Sequence, residues 1–368
     1  MHGMKVVLGW VILWTLGGML AVAEDRFVPE APWLDRDGVA INAHGGGVLH
    51  HRGTYYWFGD HKVAGRGGNA AQVGVSCYSS DNLYDWHNEG IALSVSPDPD
   101  HEIAKGSILE RPKVIYNEKT GRFVMWFHLE HRGEGYKTAR TAVATAEQVT
   151  GPYHFRKSVR PNAGKWPMRF DPDEHDEAVK YLKRDHQGGQ MARDMTLFVD
   201  DDGRAYHIAA AEENKTLHVS LLTPDYLGFS GKYVRVAPGG NNEAPAICKH
   251  DGYYWMITSG CTGWAPNEAR SFRARSMAGP WESLGNPCKG PHPTGGPGPS
   301  KTWGGQSTFL LAVEDRPGSF IAMFDVWRPE NPIDGRYLWL PVHFKEGRIE
   351  VTYPQTWSLP DPVQTSGD

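Results

Sequence analysis

Thr196-Leu197-Phe198-Val199-Asp200-Asp201-Asp202-Gly203-Arg204-Ala205-Tyr206 reads as two strands folded back on each other, an apolar run, an acidic turn closing on Gly203, and a second run carrying an aromatic residue. The arrangement recurs at Gly53-Thr54-Tyr55-Tyr56-Trp57, Gly121-Arg122-Phe123-Val124-Met125-Trp126, Gly252-Tyr253-Tyr254-Trp255 and Gly318-Ser319-Phe320-Ile321. Five copies spaced by roughly 50 to 80 residues point to one β unit repeated about an axis. The expected fold is all-β, a five-bladed β-propeller. Such a ring gathers polar side chains from distant parts of the chain at one end of its channel.

The first 23 residues carry Lys5, an apolar stretch from Val6 to Leu20, and Ala21-Val22-Ala23 ahead of Glu24. This reads as a signal peptide with an Ala-x-Ala cleavage site, an uncleaved anchor being the alternative, because the apolar run is short for a membrane span. The expected organisation is a signal peptide at 1–23 and a single propeller domain at 24–368. The product would be secreted or periplasmic, off the membrane after cleavage, and monomeric. A net charge of −5 with both signs interspersed leaves no basic stripe for nucleic acid. A neutral ligand fits better. The 43 glycines and 26 prolines suit tight turns, and the 14 tryptophans, 15 tyrosines and 13 phenylalanines suit stacked sheets and the faces of sugars. Of the four cysteines, Cys77 and Cys248 lie in strand-like runs, while Cys261 and Cys288 are the only pair close enough in sequence to suggest a bridge.

Blade one is expected from about Ala40 to Leu93, with Leu83-Tyr84-Asp85-Trp86 at its outer edge. Blade two starts at Glu110, blade three spans about Arg193 to Val236, blade four Asn242 to Leu284, and blade five Gln306 to Val351. Gly151-Pro152-Tyr153 echoes Gly279-Pro280-Trp281. A charged insertion at 156–192 could hold one short helix over Asp176 to Arg184. The glycine- and proline-rich stretch from Asn286 to Gly305 should lie over the channel mouth or along its rim.

Four blades open on a polar residue ahead of an apolar strand: Glu110 in blade two, Asp194 in blade three, Glu243 in blade four and Gln306 in blade five. Blade one offers His44 and a run of glycines instead. A carboxylate at such a position faces the channel, where burial raises its proton affinity and fits it to donate a proton. Carboxylates in a neutral, aromatic-lined pocket suit glycosidic bond hydrolysis. Structural carboxylates paired with Arg111 or Arg193 are the alternative. Asp60, after the strand ending in Trp57-Phe58-Gly59, reads as a turn aspartate, the alternative being that it reaches the pocket from blade one; His128 reads as a packed or loop histidine, and Trp303 and Trp327 as seam fillers or pocket walls.

Glu110-Arg111-Pro112-Lys113-Val114-Ile115-Tyr116-Asn117, Arg193-Asp194-Met195-Thr196-Leu197-Phe198, Glu243-Ala244-Pro245-Ala246 and Ser259-Gly260-Cys261-Thr262-Gly263-Trp264-Ala265-Pro266-Asn267 together resemble glycoside hydrolase family 43. The resemblance runs from about Ala43 to Leu340 and is nearest the exo-β-1,3-galactanase branch. It implies an inverting hydrolase acting on a polysaccharide or oligosaccharide. Glu243 would be the general acid, Asp194 the carboxylate that raises and orients it, and Gln306 the group near the attacking water. Glu110, Tyr136, Asn214, Gly263 and Trp264 would contact the sugar. Most family members carry a blade-one aspartate as general base, and no aspartate stands near His44 or Gly45. Members also often hold a channel cation through a blade-five histidine. Gln306 stands in that place, so no cofactor is expected, a channel calcium being the open alternative. The rival readings are an α-L-arabinofuranosidase, a β-galactofuranosidase, and a propeller that binds sugar without cutting it.

Overall fold

The computed structural model describes residues 25–171, 173 and 175–361. The expected signal peptide lies outside the described residues. Five antiparallel sheets form the blades. Blade one comprises His44–His51, Thr54–Asp60, Gly74–Ser80 and His87–Ser94, and blade two Ile108–Asn117, Arg122–Glu130, Arg140–Ala146 and His154–Val159. Blade three holds Met195–Val199, Ala205–Ala211, Thr216–Leu222 and Phe229–Val236, and blade four Asn242–His250, Tyr253–Gly260, Arg270–Ala274 and Glu282–Gly285. Blade five holds Gln306–Ala312, Phe320–Val326, Arg336–Lys345 and Arg348–Thr352. The first strand of each blade packs on the first strands of both neighbours, and blade five returns to blade one. The ring is closed.

The five repeat glycines each sit in the turn between the first two strands of a blade. Gly53, Gly121, Gly203, Gly252 and Gly318 all have positive φ, between 64° and 86°. A side chain is disfavoured in that left-handed region, which is why the repeat ends on glycine. The Gly-Pro echo falls ahead of the outer strands of blades two and four, and both peptide bonds are cis.

Each seam between blades is one apolar cluster, because neighbouring sheets present facing rows of alternate side chains. Phe58, Val75, Met125 and Phe127 fill the seam of blades one and two, and Trp255, Leu310, Phe324 and Leu340 that of blades four and five. The closing seam is the most aromatic. Trp57 and Trp86 of blade one meet Trp339 of blade five at 4.8 and 5.8 Å between ring centroids. Outside the sheets, Phe27 pairs with Trp357 and so straps the two ends of the described chain together across this seam.

Local expectations are met in part. Leu83 to Trp86 is a turn, since the Asn82 side chain accepts the N–H groups of Tyr84 and Asp85 and competes with strand pairing; the outer strand follows at His87–Ser94. The helix in the insertion covers Val179–Arg184. The stretch from Asn286 runs along the rim, where Cys288–Lys289 adds a parallel edge to Arg348–Thr352 and Trp303 is buried in the seam of blades four and five. Cys261 and Cys288 are not bridged. All four cysteines are free, Cys261 exposed and Cys288 buried.

Candidate active site

A bulge recurs at the same end of the inner strands. Register shifts follow His44, Glu110 and Glu243, and the next residue in each case, Gly45, Arg111 or Ala244, has positive φ. Such a bulge turns the strand's leading side chain toward the axis. Glu110 and Glu243 are re-aimed in this way. In blade one the corresponding residue, His44, is instead fully buried against the Tyr337 ring, and burial, followed by the charge of Lys62, holds its imidazole neutral at about 3. It does not reach the pocket.

The pocket at this end has a volume of about 300 Å³. All eight residues named from the sequence line it: Glu243, Asp194, Gln306, Glu110, Tyr136, Asn214, Gly263 and Trp264. Gln306 Nε2 donates to Glu243 Oε1 at 3.0 Å and to Ser259 Oγ at 2.9 Å. Asn214 Nδ2 donates to Glu243 Oε2 at 3.1 Å. Asn214 closes a run of three left-handed residues, Glu212, Glu213 and Asn214, in the turn between the second and third strands of blade three. Backbone held in that region is strained and persists only where surrounding contacts fix it. Buried Glu212 supplies them by accepting from Thr216, His218 and Arg235.

Burial, and after it the Asp194 charge, raises the Glu243 carboxyl to about 7 against the opposing charge of Arg111. The acid therefore keeps its proton to near neutrality, as proton donation to a leaving group requires. Glu110 has the opposite character. Burial pushes it up, but His128 Nδ1 at 3.1 Å and the Tyr136 hydroxyl at 2.7 Å outweigh burial and leave it well below the ordinary range. His128 in turn bridges Glu110 and Glu130, whose hydrogen bonds overcome its burial and raise it to about 9. Glu110 is thus a charged acceptor for His128, Tyr136 and Asn69 rather than the ion-pair partner of Arg111.

The structure brings further residues to the pocket, of which Asn69 alone was not named from the sequence. Arg111 lies under the pocket, donating to Asp194 Oδ2 at 2.8 Å, Gln306 Oε1 at 2.6 Å and the Ser307 carbonyl at 3.0 Å. Trp327, expected as a seam filler or wall, lines the pocket and donates from Nε1 to Gln306 Oε1 at 2.7 Å. Asn69 donates to Glu110 Oε1 at 2.9 Å from a loop with no strand signal. Cys261 lines the pocket and its thiol donates to the Asn214 carbonyl. Asp60 is a buried pocket residue, the second of its two readings, rather than a turn aspartate.

Glu110, His128 and Asp194 bring ligand-type atoms within 4.8 Å of one another. They do not fit a metal. Both His128 nitrogens are engaged by carboxylates and Asp194 by Arg111, so a cation there would have to break contacts that already supply positive charge.

A five-bladed ring with a carboxyl group of raised proton affinity in a polar, tryptophan-walled pocket is an arrangement suited to cleaving carbohydrate. The family description Glycosyl hydrolases family 43 matches residues 44–289, and the chain belongs to that family and is a glycoside hydrolase. Among solved structures, a family 43 β-1,3-galactosidase with galactodeoxynojirimycin shares 48% identity over 90% of this chain and 100% of that chain, with a TM-score of 0.85. An exo-β-1,3-galactanase from Phanerochaete chrysosporium with β-1,3-galactotriose shares 32% identity over 91% of this chain and 69% of that one, at a TM-score of 0.75. The exo-β-1,3-galactanase of Clostridium thermocellum shares 35% over 90% of this chain and 66% of that one, also at 0.75. No curated protein sequence matches the chain.

Proposed function

We propose that the protein is an exported exo-β-1,3-galactanase that releases galactose, with inversion, from the ends of β-1,3-galactan chains. The observation that carries this reading is the half-buried Glu243, raised to about 7 inside a pocket whose floor is closed. Arg111 and Lys113 are buried on the axis below it, so a glycan cannot thread the channel and its terminal unit enters from the open end. The names of the similar solved proteins, a β-1,3-galactosidase and two exo-β-1,3-galactanases, support the sugar and the linkage.

Glu243 protonates the leaving oxygen, Asp194 sustains its proton affinity, and Glu110, Tyr136, Asn214, Gly263 and Trp264 hold the terminal sugar. The indole of Trp264, 42% exposed, offers an apolar face to pyranose C–H groups. Digestion of β-1,3-galactan followed by chromatography tests the reading. Galactose as sole early product, appearing first as the α-anomer by NMR, is expected. Longer oligosaccharides, or turnover of nitrophenyl arabinofuranoside in place of galactan, would overturn it. N-terminal sequencing of the exported protein should begin near Glu24.

A further inference from the structure

None of the described residues of the insertion at 156–192 lines the pocket, yet the insertion holds the turn that carries Asn214. Asp176 accepts from Arg235 at 2.8 and 2.9 Å, and Arg235 also donates to buried Glu212. Arg184 Nη1 donates to Glu213 Oε1 at 2.9 Å, and Lys215 donates to Glu177 at 3.1 Å. Glu212, Glu213 and Lys215 are thus each tied to this one segment, directly or through Arg235. Glu212, Glu213 and Asn214 are the left-handed run, a strained backbone that needs such support. The insertion is itself anchored. Ala178 and Leu182 are fully buried at its helix, and Gln190 Nε2 donates to the Leu182 carbonyl at 3.0 Å.

One of these ties leads on to the pocket. The Arg184 guanidinium is pinned by a fork on Asp185, with Nε and Nη2 each donating to one carboxylate oxygen at 2.8 Å. The remaining nitrogen is the one that meets Glu213. The other oxygen of Glu213 accepts from Arg193 Nη2 at 3.5 Å. Arg193 Nη2 also donates to the Tyr136 carbonyl at 2.6 Å, and its Nη1 to Asn214 Oδ1 at 3.5 Å. A guanidinium only donates, so the end of Asn214 that faces Arg193 is its oxygen, and the amide nitrogen is left turned to Glu243 Oε2 at 3.1 Å. The side chains of Arg184 and Glu213 are 47% and 34% exposed, and a pair so open to water adds little stability. What it does add is orientation.

We propose that the insertion is a working part of the site: through Arg184, Glu213 and Arg193 it fixes the Asn214 amide with its nitrogen toward Glu243, and Arg184 is a positioning residue for the acid. The proposal rests on the reading of Glu243 as the acid of the hydrolase. Glu243 also faces Asp194, Arg111, the Cys261 thiol and the Gln306 amide, all of which stay in place when Arg184 is changed.

The test titrates the Glu243 carboxyl by NMR of carboxyl-labelled glutamate, assigned with Glu243→Gln, and needs no substrate. The Asn214 amide favours the charged form of Glu243, so Asn214→Ala should move the midpoint up by about one pH unit. Arg184→Met should also move it up, and the double variant should go no further than Asn214→Ala alone. A turn that merely loosened would admit water to Glu243 and move the midpoint down. An unmoved or lowered midpoint in Arg184→Met, or two shifts that add, overturns the proposal. If Arg184→Met does not fold by circular dichroism, Glu213→Gln takes its place with the same expected outcomes. On β-1,3-galactobiose, Arg184→Met should lose about 10- to 10²-fold in kcat/KM, and an unchanged value overturns the proposal. Absence of galactose from the wild type in that run would sink the substrate reading and leave the titration to decide the clamp.

Discussion

Arg111 Nη2 lies 2.8 Å from Asp194 Oδ2, and the guanidinium that makes this contact is buried under the pocket floor. The same group holds Gln306 and lies 5.3 Å from the centroid of the Trp327 ring. Its charge opposes that of Asp194 at Glu243, so the acid's proton affinity, raised first by burial, is trimmed by two side chains that are themselves paired. A buried pair costs little while complete and a great deal when halved.

Arg111→Met should therefore be among the most damaging single changes. It leaves Asp194 without its cation and removes one donor from Gln306 Oε1. A loss of about 3–5 kcal/mol in unfolding free energy is expected from denaturant titration. Native stability in this variant would show that the pair is not a structural strut.

The pH dependence follows from the active form of Glu243 being the protonated one. Its carboxyl, at about 7, faces Asp194, Arg111, the Cys261 thiol and the amides of Asn214 and Gln306. kcat should fall as pH rises through about 7. Asp194→Asn removes the charge that holds the proton on, so this alkaline limb should move to lower pH. Glu243→Gln should cost about 10²- to 10⁴-fold in kcat with KM little changed. A full pH–rate profile of the three proteins checks the set.

Much of this was legible in the sequence because a repeat multiplies weak signals. One Gly-Tyr-Tyr-Trp run says little, but five glycines that share a turn position fix the blade count, and the polar residue opening each inner strand is then placed on the axis by symmetry. What escaped is what symmetry does not govern. Asp60 ends a second strand, where the sequence left a turn and a place in the pocket both open. Asn69 comes from a short 3-10 turn, and Trp327 follows a strand end where tryptophan more often fills a seam. Cys261 and Cys288, close in sequence, were separated because one stays at the pocket while the other joins the outer edge of blade five.

His128 carries a prediction about stability. Burial lowers its imidazole, but Glu110 and Glu130 raise it to about 9 from an ordinary 6.5. The folded state thus binds its proton more tightly than the unfolded chain. The resulting stabilisation is fully present below pH 6.5 and is lost as pH rises through about 9. The difference in unfolding free energy between wild type and His128→Gln should shrink across that window. A constant difference from pH 6 to 10 would mean that the histidine is neutral in the folded protein.

The last prediction concerns how the ring holds shut. Each blade's four-stranded core is built from consecutive segments, so among the described residues no exchanged strand locks blade five to blade one. Closure rests on the Phe27–Trp357 bridge and on side-chain packing around Trp57, Trp86, Tyr337 and Trp339. Trp57 is 1% exposed and meets five aromatic rings, Trp33 at 5.6 Å, Tyr78, Trp86, Tyr337 at 4.7 Å and Trp339. Trp57→Ala opens a cavity where no main-chain ladder can compensate, and about 3–5 kcal/mol of stability should be lost. Trp264→Ala, at the exposed pocket wall, should leave the unfolding midpoint in place and raise KM. Thermal unfolding of the two variants side by side separates the tryptophan that closes the ring from the one that meets the sugar.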